Sequence, residues 1–398
     1  MKNTTQFMAF TYGVSRRALI VGGALVVAAS GLSQANAAET LKIGVLTALT
    51  GGGISWGMAV LGGVELAVEE INANGGLKVG DQTYKIEVIA YDDKYSGPPA
   101  AQAAQRLVSQ DEVKIVFGPF GSVPVLATAD TFEGAGVLSF INSYTTRALN
   151  ADKPNTYRLT PTTAEISSYM VDSIHRQVPG AKSVAIISPN DDSGKEVANQ
   201  SEPEYTRVGI EMQGTEYYER GLQDFAPILT RIMAKNPDII DVDGSTPIDS
   251  GVIMKQARQL GFKGNFVKVG GPGVAQIIEV AGEASNGLFF YSPWDPDAPE
   301  IKAISDRFEK KYSMPMNGLG IFFYEGAHML FDIIGRENTL DNESLRAALD
   351  KGEDYNGVQG RYVWSGEATY GIKHQWVAPF YLGQIRDGKE VMVEKIDP

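Results

Sequence analysis

From residue 41 to the end of the chain the hydrophobic period keeps switching between two and about 3.6, and no single motif constrains the fold as strongly. The spacing predicts a strand over 41–46, a glycine loop at 51–53 and a helix over 58–72 (MAVLGGVELAVEEIN). A strand over 85–90, a helix over 100–109, a strand over 114–118, a helix over 123–133 and a strand over 137–140 follow. The pattern then restarts. Helices are expected over 164–177, 195–209, 225–235 and 248–260, with strands over 183–188, 211–217, 238–242 and 265–269. Two further helices are expected over 300–312 and 321–335, and the tail 357–395 is rich in strand-forming residues. Strands alternating with helices of this length imply βαβ units around mostly parallel sheets. The expected fold is α/β, with two doubly wound Rossmann-like lobes.

The N-terminus carries a different signal. Lys2, Arg16 and Arg17 form a basic region without an acidic residue, an apolar run covers 18–32, and Ala35-Asn36-Ala37 supplies the small residues of a cleavage site. This reads as a secretory signal peptide over 1–37; its Arg16-Arg17 pair resembles a twin-arginine signal, and paired arginines also occur in ordinary export signals, so the export route stays open. The mature chain is expected in the periplasm, and no other segment reads as long and apolar enough to cross a bilayer. The formal charge of −13 becomes more negative once those three cations are removed, which argues against nucleic acid as a partner. There are no cysteines, so thiol catalysis and Cys-based metal sites are excluded.

In doubly wound sheets ligands bind where strands end and loops diverge. Two such loops stand out. Gly118-Pro119-Phe120-Gly121-Ser122 precedes a helix, so Ser122 is expected at the N-cap, where its hydroxyl and free backbone N–H groups can hold an anion. Ile141-Asn142-Ser143-Tyr144-Thr145-Thr146, after the next strand, is again hydroxyl-rich. Together they read as a carboxylate cradle. Enzyme motifs are missing. The three histidines, His175, His328 and His374, lie in expected helix or tail, and no nucleophile elbow, HExxH or nucleotide-binding glycine motif occurs. No cofactor or metal is expected.

The chain resembles the periplasmic binding proteins of branched-chain amino acid ABC transporters. The resemblance is carried by LKIGVLTALTG at 41–51, GxELAVEEINANGG at 63–76, Tyr91-Asp92-Asp93, GPFGS at 118–122, KQARQLG at 255–261 and the helix with Tyr324-Glu325-Gly326-Ala327. It implies a type I periplasmic binding fold, two lobes joined by a three-crossover hinge, and a cleft that closes on a small solute for delivery to membrane permease subunits. The implied first lobe is 38–160 plus 290–356 and the second 161–289 plus 357–398, in a monomer. A sensor feeding a membrane receptor would use the same lobes.

By the same resemblance Ser122 and Thr145 hold a ligand carboxylate, with Phe120, Gly121, Ser143 and Tyr144 beside them. Trp56, in a loop before its helix, would stand at an exposed rim against the ligand, and Tyr324 is a further candidate. The second lobe departs from the amino-acid pattern. Where the family places an acid for the α-ammonium, the chain reads Gly270-Gly271-Pro272-Gly273, and Ser193 stands where an aromatic is usual. Either Asp243 substitutes as the ammonium anchor, or the solute is a small carboxylate, aromatic or aliphatic, without an ammonium group.

Overall fold

The structure is a computed structural model that describes residues 39–398. The signal peptide read at 1–37 lies outside the described residues. In chain order the strands are β1 (Glu39–Thr47), β2 (Leu77–Val79), β3 (Gln82–Asp92), β4 (Ile115–Phe120), β5 (Leu138–Asn142), β6 (Thr156–Arg158), β7 (Ser183–Pro189) and β8 (Glu211–Tyr218). They continue as β9 (Ile239–Asp241), β10 (Asn265–Lys268), β11 (Phe289–Ser292), β12 (Tyr355–Gly357), β13 (Gly360–Ser365), β14 (Gln375–Val377), β15 (Phe380–Arg386) and β16 (Lys389–Ile396). The helices are α1 (Ile54–Ala73), α2 (Gly97–Ser109), α3 (Ser122–Gly134), α4 (Thr163–Gln177), α5 (Asp192–Arg207) and α6 (Ala226–Met233). After them come α7 (Pro247–Gln259), α8 (Val274–Ala281), α9 (Pro299–Tyr312), α10 (Leu319–Glu337), α11 (Asn342–Leu349) and α12 (Glu367–Tyr370).

Two sheets result, each flanked by helices to make a lobe. The first is ordered β12-β13-β14-β6-β5-β4-β1-β3-β2 and the second β16-β15-β11-β10-β9-β7-β8. Both are parallel at their centres, as βαβ connections require. The order reverses between β4 and β1 in one sheet and between β9 and β7 in the other. Loops leaving the carboxyl ends of those strands therefore diverge, opening a crevice in each lobe at the same place.

Core packing explains the long helices. The α1 helix is long and apolar enough to cross a membrane by length and composition, against the expectation for residues after the signal peptide. Its apolar side chains instead fill the first lobe, where Val60, Val64 and Ala67 are buried with Ile43, Phe117 and Leu330. Its neighbour α10 approaches so closely that a Cβ on Gly63 would stand 2.2 Å from the Gly320 carbonyl oxygen. The glycine of the GxELAV motif is thus required by helix–helix contact.

The chain crosses between the sheets after β6, after β11 and after β14. The first crossing lies between Arg158 of β6 and Ser183 of β7. The second falls beyond Ser292 rather than at 290, because Phe289–Ser292 is a strand of the second sheet. The third is the larger correction: residues 360–377 belong to the first lobe. β13 and β14 extend that sheet through the Gln375–Arg158 pair, and Tyr362, Trp364 and Trp376 enter the first-lobe core. Only β15, antiparallel to β11, and β16, antiparallel to β15, return to the second lobe.

Candidate functional site

A narrow cleft lies at the two switch points. From the first lobe Trp56, Tyr95, Phe120, Gly121, Asn142 and Tyr144 line it, and from the second Ser193, Asp243, Gly244, Lys268, Gly271 and Pro272. A larger open groove, bordered by Asp238, Phe262 and Lys263, lies at the N-terminal ends of second-lobe strands. That end of a parallel sheet lacks diverging loops, so the cleft is the candidate site.

The first-lobe end of the cleft is built from hydroxyls and backbone donors. Gly121 precedes α3 with φ +92°, a conformation that favours glycine, and a Cβ there would meet the Tyr95 ring at 2.5 Å. Gly121 is the residue at the N-cap position, and Ser122, expected there, is the first residue of the helix. Its hydroxyl makes no cap bond. Instead Ser122 Oγ accepts from the Thr145 backbone N–H at 3.1 Å and from Ser143 Oγ at 3.3 Å. All three residues are fully buried just behind the cavity wall.

Beneath this loop lies a residue that the sequence reading missed. Arg158 is 0 % exposed and donates through Nη1 to the carbonyls of Ser143 at 2.7 Å and Thr145 at 3.4 Å. Its Nε and Nη2 have no partner, its guanidinium lies over the Tyr370 ring, and among the described residues no carboxylate pairs with it. An unpaired buried cation next to a set of N–H and O–H donors favours an anion in front of them. Arg158 ends a three-residue strand, too short for a period to flag it.

Three aromatic rings form the middle of the cleft. Trp56 and Phe120 lie 5.2 Å apart between centroids, Tyr95 and Phe120 5.6 Å, and Trp56 and Tyr95 6.4 Å. Trp56 sits inside α1, 5 % exposed, rather than on an exposed rim, and its Nε1 donates to the Pro272 carbonyl of the other lobe at 2.6 Å. Ser193 also bridges the lobes, its Oγ 3.4 Å from Tyr95 Oη and 3.4 Å from the Ser122 backbone nitrogen.

Tyr95 was not singled out in the sequence, although it follows the Tyr91-Asp92-Asp93 motif. Asp93 holds it, accepting from the Tyr95 N–H at 2.7 Å, and Lys94 and Tyr95 both adopt positive φ. Burial, with Asp92 adding to it, pushes the Asp93 carboxyl from its ordinary 3.8 up to about 7. The folded state then binds this proton more tightly than the unfolded chain does, so stability is lost as pH rises from about 4 to about 7. Asp93→Asn is expected to gain up to about 4 kcal/mol over the parent at pH 8 and little at pH 4, since each pKa unit is worth about 1.4 kcal/mol. Urea unfolding at the two pH values checks it; an equal effect at both would assign the change to packing instead.

The second-lobe wall is charged. Asp243 follows β9, and Lys268, another residue the sequence reading missed, ends β10. Their Nζ and Oδ1 atoms are 3.8 Å apart and both side chains are about 1–2 % exposed. Burial lowers the Lys268 pKa and raises that of Asp243, each opposed by its partner. A lysine in an apolar strand whose neighbour carries Asp241 and Asp243 was the available clue.

Of the sequence-selected residues, Trp56, Phe120, Gly121, Tyr144, Ser193, Asp243 and Pro272 meet in one cavity, with Ser122, Ser143 and Thr145 immediately behind it. Tyr324 does not join them. It lies on the face of α10 turned to α1, where its hydroxyl donates to Glu70 Oε2 at 2.8 Å beside His328. Helical spacing put Tyr324 and His328 on one face, and that face packs on a helix rather than on the cleft.

The same fold is found in known proteins. The family pattern described as periplasmic binding protein matches residues 40–390. The Leu/Ile/Val-binding protein of Citrobacter freundii is 26% identical over 357 residues, covering 87% of this chain and 93% of that protein. Among solved structures, the branched-chain amino acid binding protein LivJ of Streptococcus pneumoniae in complex with isoleucine superposes with TM-score 0.79 at 24% identity, over 90% of this chain and 100% of that one. A solute-binding protein of an ABC transporter from R. palustris in complex with benzoate gives TM-score 0.77 at 20% identity, over 89% and 96%.

Proposed function

The chain belongs to the periplasmic binding protein family, and on that premise we propose that its solute is a compact aromatic carboxylate without an α-ammonium group. Like its relatives it is a substrate-binding protein of ABC transporters and not an enzyme. The observation that carries the proposal is Arg158: a buried guanidinium with no carboxylate partner, directly behind the Ser122, Ser143 and Thr145 donors. A bound carboxylate would receive charge-assisted hydrogen bonds there and supply the missing counter-charge. The Trp56, Tyr95 and Phe120 rings favour a flat apolar body behind the carboxylate.

An α-ammonium fits poorly. Pro272 stands where an acid would be needed, and Asp243, the nearest candidate substitute, already faces Lys268. Adding a second buried cation beside Lys268 costs several kcal/mol.

Ligand first meets the cradle of the first lobe, and rotation about the three crossings brings Ser193 and Pro272 across it. The closed form is then read by the permease, so the solute acts by shifting the population of closed molecules. The accompanying proposals are export with cleavage after Ala37, residence in the periplasm and action as a monomer.

A thermal-shift panel tests the reading. Benzoate and related ring acids are expected to raise the melting temperature by a few degrees at saturation, and leucine, isoleucine and valine not at all. Stabilisation by the three amino acids alone would replace this reading with branched-chain amino acid binding.

A further inference from the structure

The wall of the cleft opposite the cradle holds a buried donor–acceptor pair in which one acceptor atom, Asp243 Oδ2, has no partner. Lys268 Nζ donates to the Ser245 carbonyl at 3.0 Å and stands 3.8 Å from Asp243 Oδ1. Asp243 Oδ1 already accepts from the Gly244 N–H at 2.8 Å, while Oδ2 is buried without a partner. The nearby Asp241 is fully engaged, by Tyr205 Oη at 2.8 Å and by the Asp243 N–H at 2.9 Å. Tyr144 Oη reaches the same place. A Cβ on Gly270 would stand 3.1 Å from Tyr144 Oη and 3.3 Å from Asp243 Oδ2, and one on Gly271 3.4 Å from Lys268 Nζ.

These groups select by elimination. A cation here would face Lys268, and a second carboxylate would face Asp243. An alkyl group would leave the buried Oδ2 and the free protons of Lys268 unpaired, which costs more than an unmade bond in water. A neutral hydroxyl satisfies both, donating to Asp243 Oδ2 while accepting from Lys268 Nζ or Tyr144 Oη. Its position along the ligand follows from Tyr144 itself. That residue starts in the cradle loop between Ser143 and Thr145 and ends at the distal wall, so the two polar ends lie about one phenol ring apart.

We infer that Lys268, Asp243 and Tyr144 form a hydroxyl-reading subsite, and that the solute is a ring acid with a hydroxyl opposite its carboxylate. This rests on the carboxylate reading above and adds a specificity to it. The bland role for Lys268, neutralising two buried aspartates, predicts an effect on stability and none on the choice between ligands.

Calorimetric titration of the full chain with 4-hydroxybenzoate and with benzoate separates these. The hydroxylated acid is expected to bind about 100-fold more tightly, the scale of the penalty for leaving a buried acceptor unpaired. In Lys268→Met the ratio is expected to fall to within about threefold, the scale of a contact that no longer depends on the hydroxyl. Should Lys268→Met fail to fold, Tyr144→Phe removes only an oxygen and is expected to lower the same ratio. Benzoate binding as tightly as 4-hydroxybenzoate to the unsubstituted protein would overturn the subsite and leave the carboxylate reading standing. Binding of neither acid would overturn both.

Discussion

Ser122→Ala combined with Thr145→Ala is expected to abolish the stabilisation given by benzoate, lowering affinity at least about 100-fold, while the protein still folds. Hydrogen bonds to a charged group are each worth about 1.5–3 kcal/mol, and the pair of substitutions removes two side-chain donors from the cradle. The effect on the fold is smaller. Ser122 Oγ accepts from the Thr145 N–H, and Thr145 Oγ1 accepts from the Arg147 N–H at the start of a short 3-10 turn. Losing these leaves two backbone donors without a partner, at about 1–3 kcal/mol each when they stay dry. Circular dichroism melting with and without ligand distinguishes the outcomes. A double variant that melts a few degrees lower yet still responds fully to benzoate would mean that the carboxylate is held elsewhere.

The second large effect is expected at Arg158. Arg158→Met should weaken carboxylate binding by about 30-fold or more, because a like-sized apolar chain removes a cation whose attraction across a few ångströms of protein is on the order of 2 kcal/mol. Arg158→Lys should restore part of the loss, since it keeps the charge without the bonds to both carbonyls. Lost packing alone would weaken every ligand equally. The measurement is therefore the ratio of affinities for benzoate and benzamide, the same ring without the charge. The ratio should collapse in Arg158→Met, and an unchanged ratio would assign Arg158 to loop support only.

What could be read from the sequence divides along a physical line. Elements such as 163–177 and 183–189 were legible within a residue or two because their apolar spacing is a local property. The two first-lobe loops were legible because glycine and hydroxyl runs directly follow apolar strands. Which sheet a tail strand joins is not local. β13 alternates like any half-buried strand, and the fit of Trp364 and Trp376 into the first-lobe core decides the place of β13 and β14. The same limit hid Lys268 and Arg158, whose meaning depends on partners far along the chain. Short elements escaped as well. α11 has eight residues, and its clearest mark is the Asp341 side chain accepting from the Ser344 N–H.

The divided tail has a bearing on how the two lobes are tied together. β14 finishes the first sheet at Val377, and three residues later β15 begins the pair that finishes the second. One short stretch thus serves both sheets, and a product cut at Val377 would leave β11 as an open edge of the second. Cleavage between Val377 and Phe380 would therefore sever one of the three links by which the lobes are hinged.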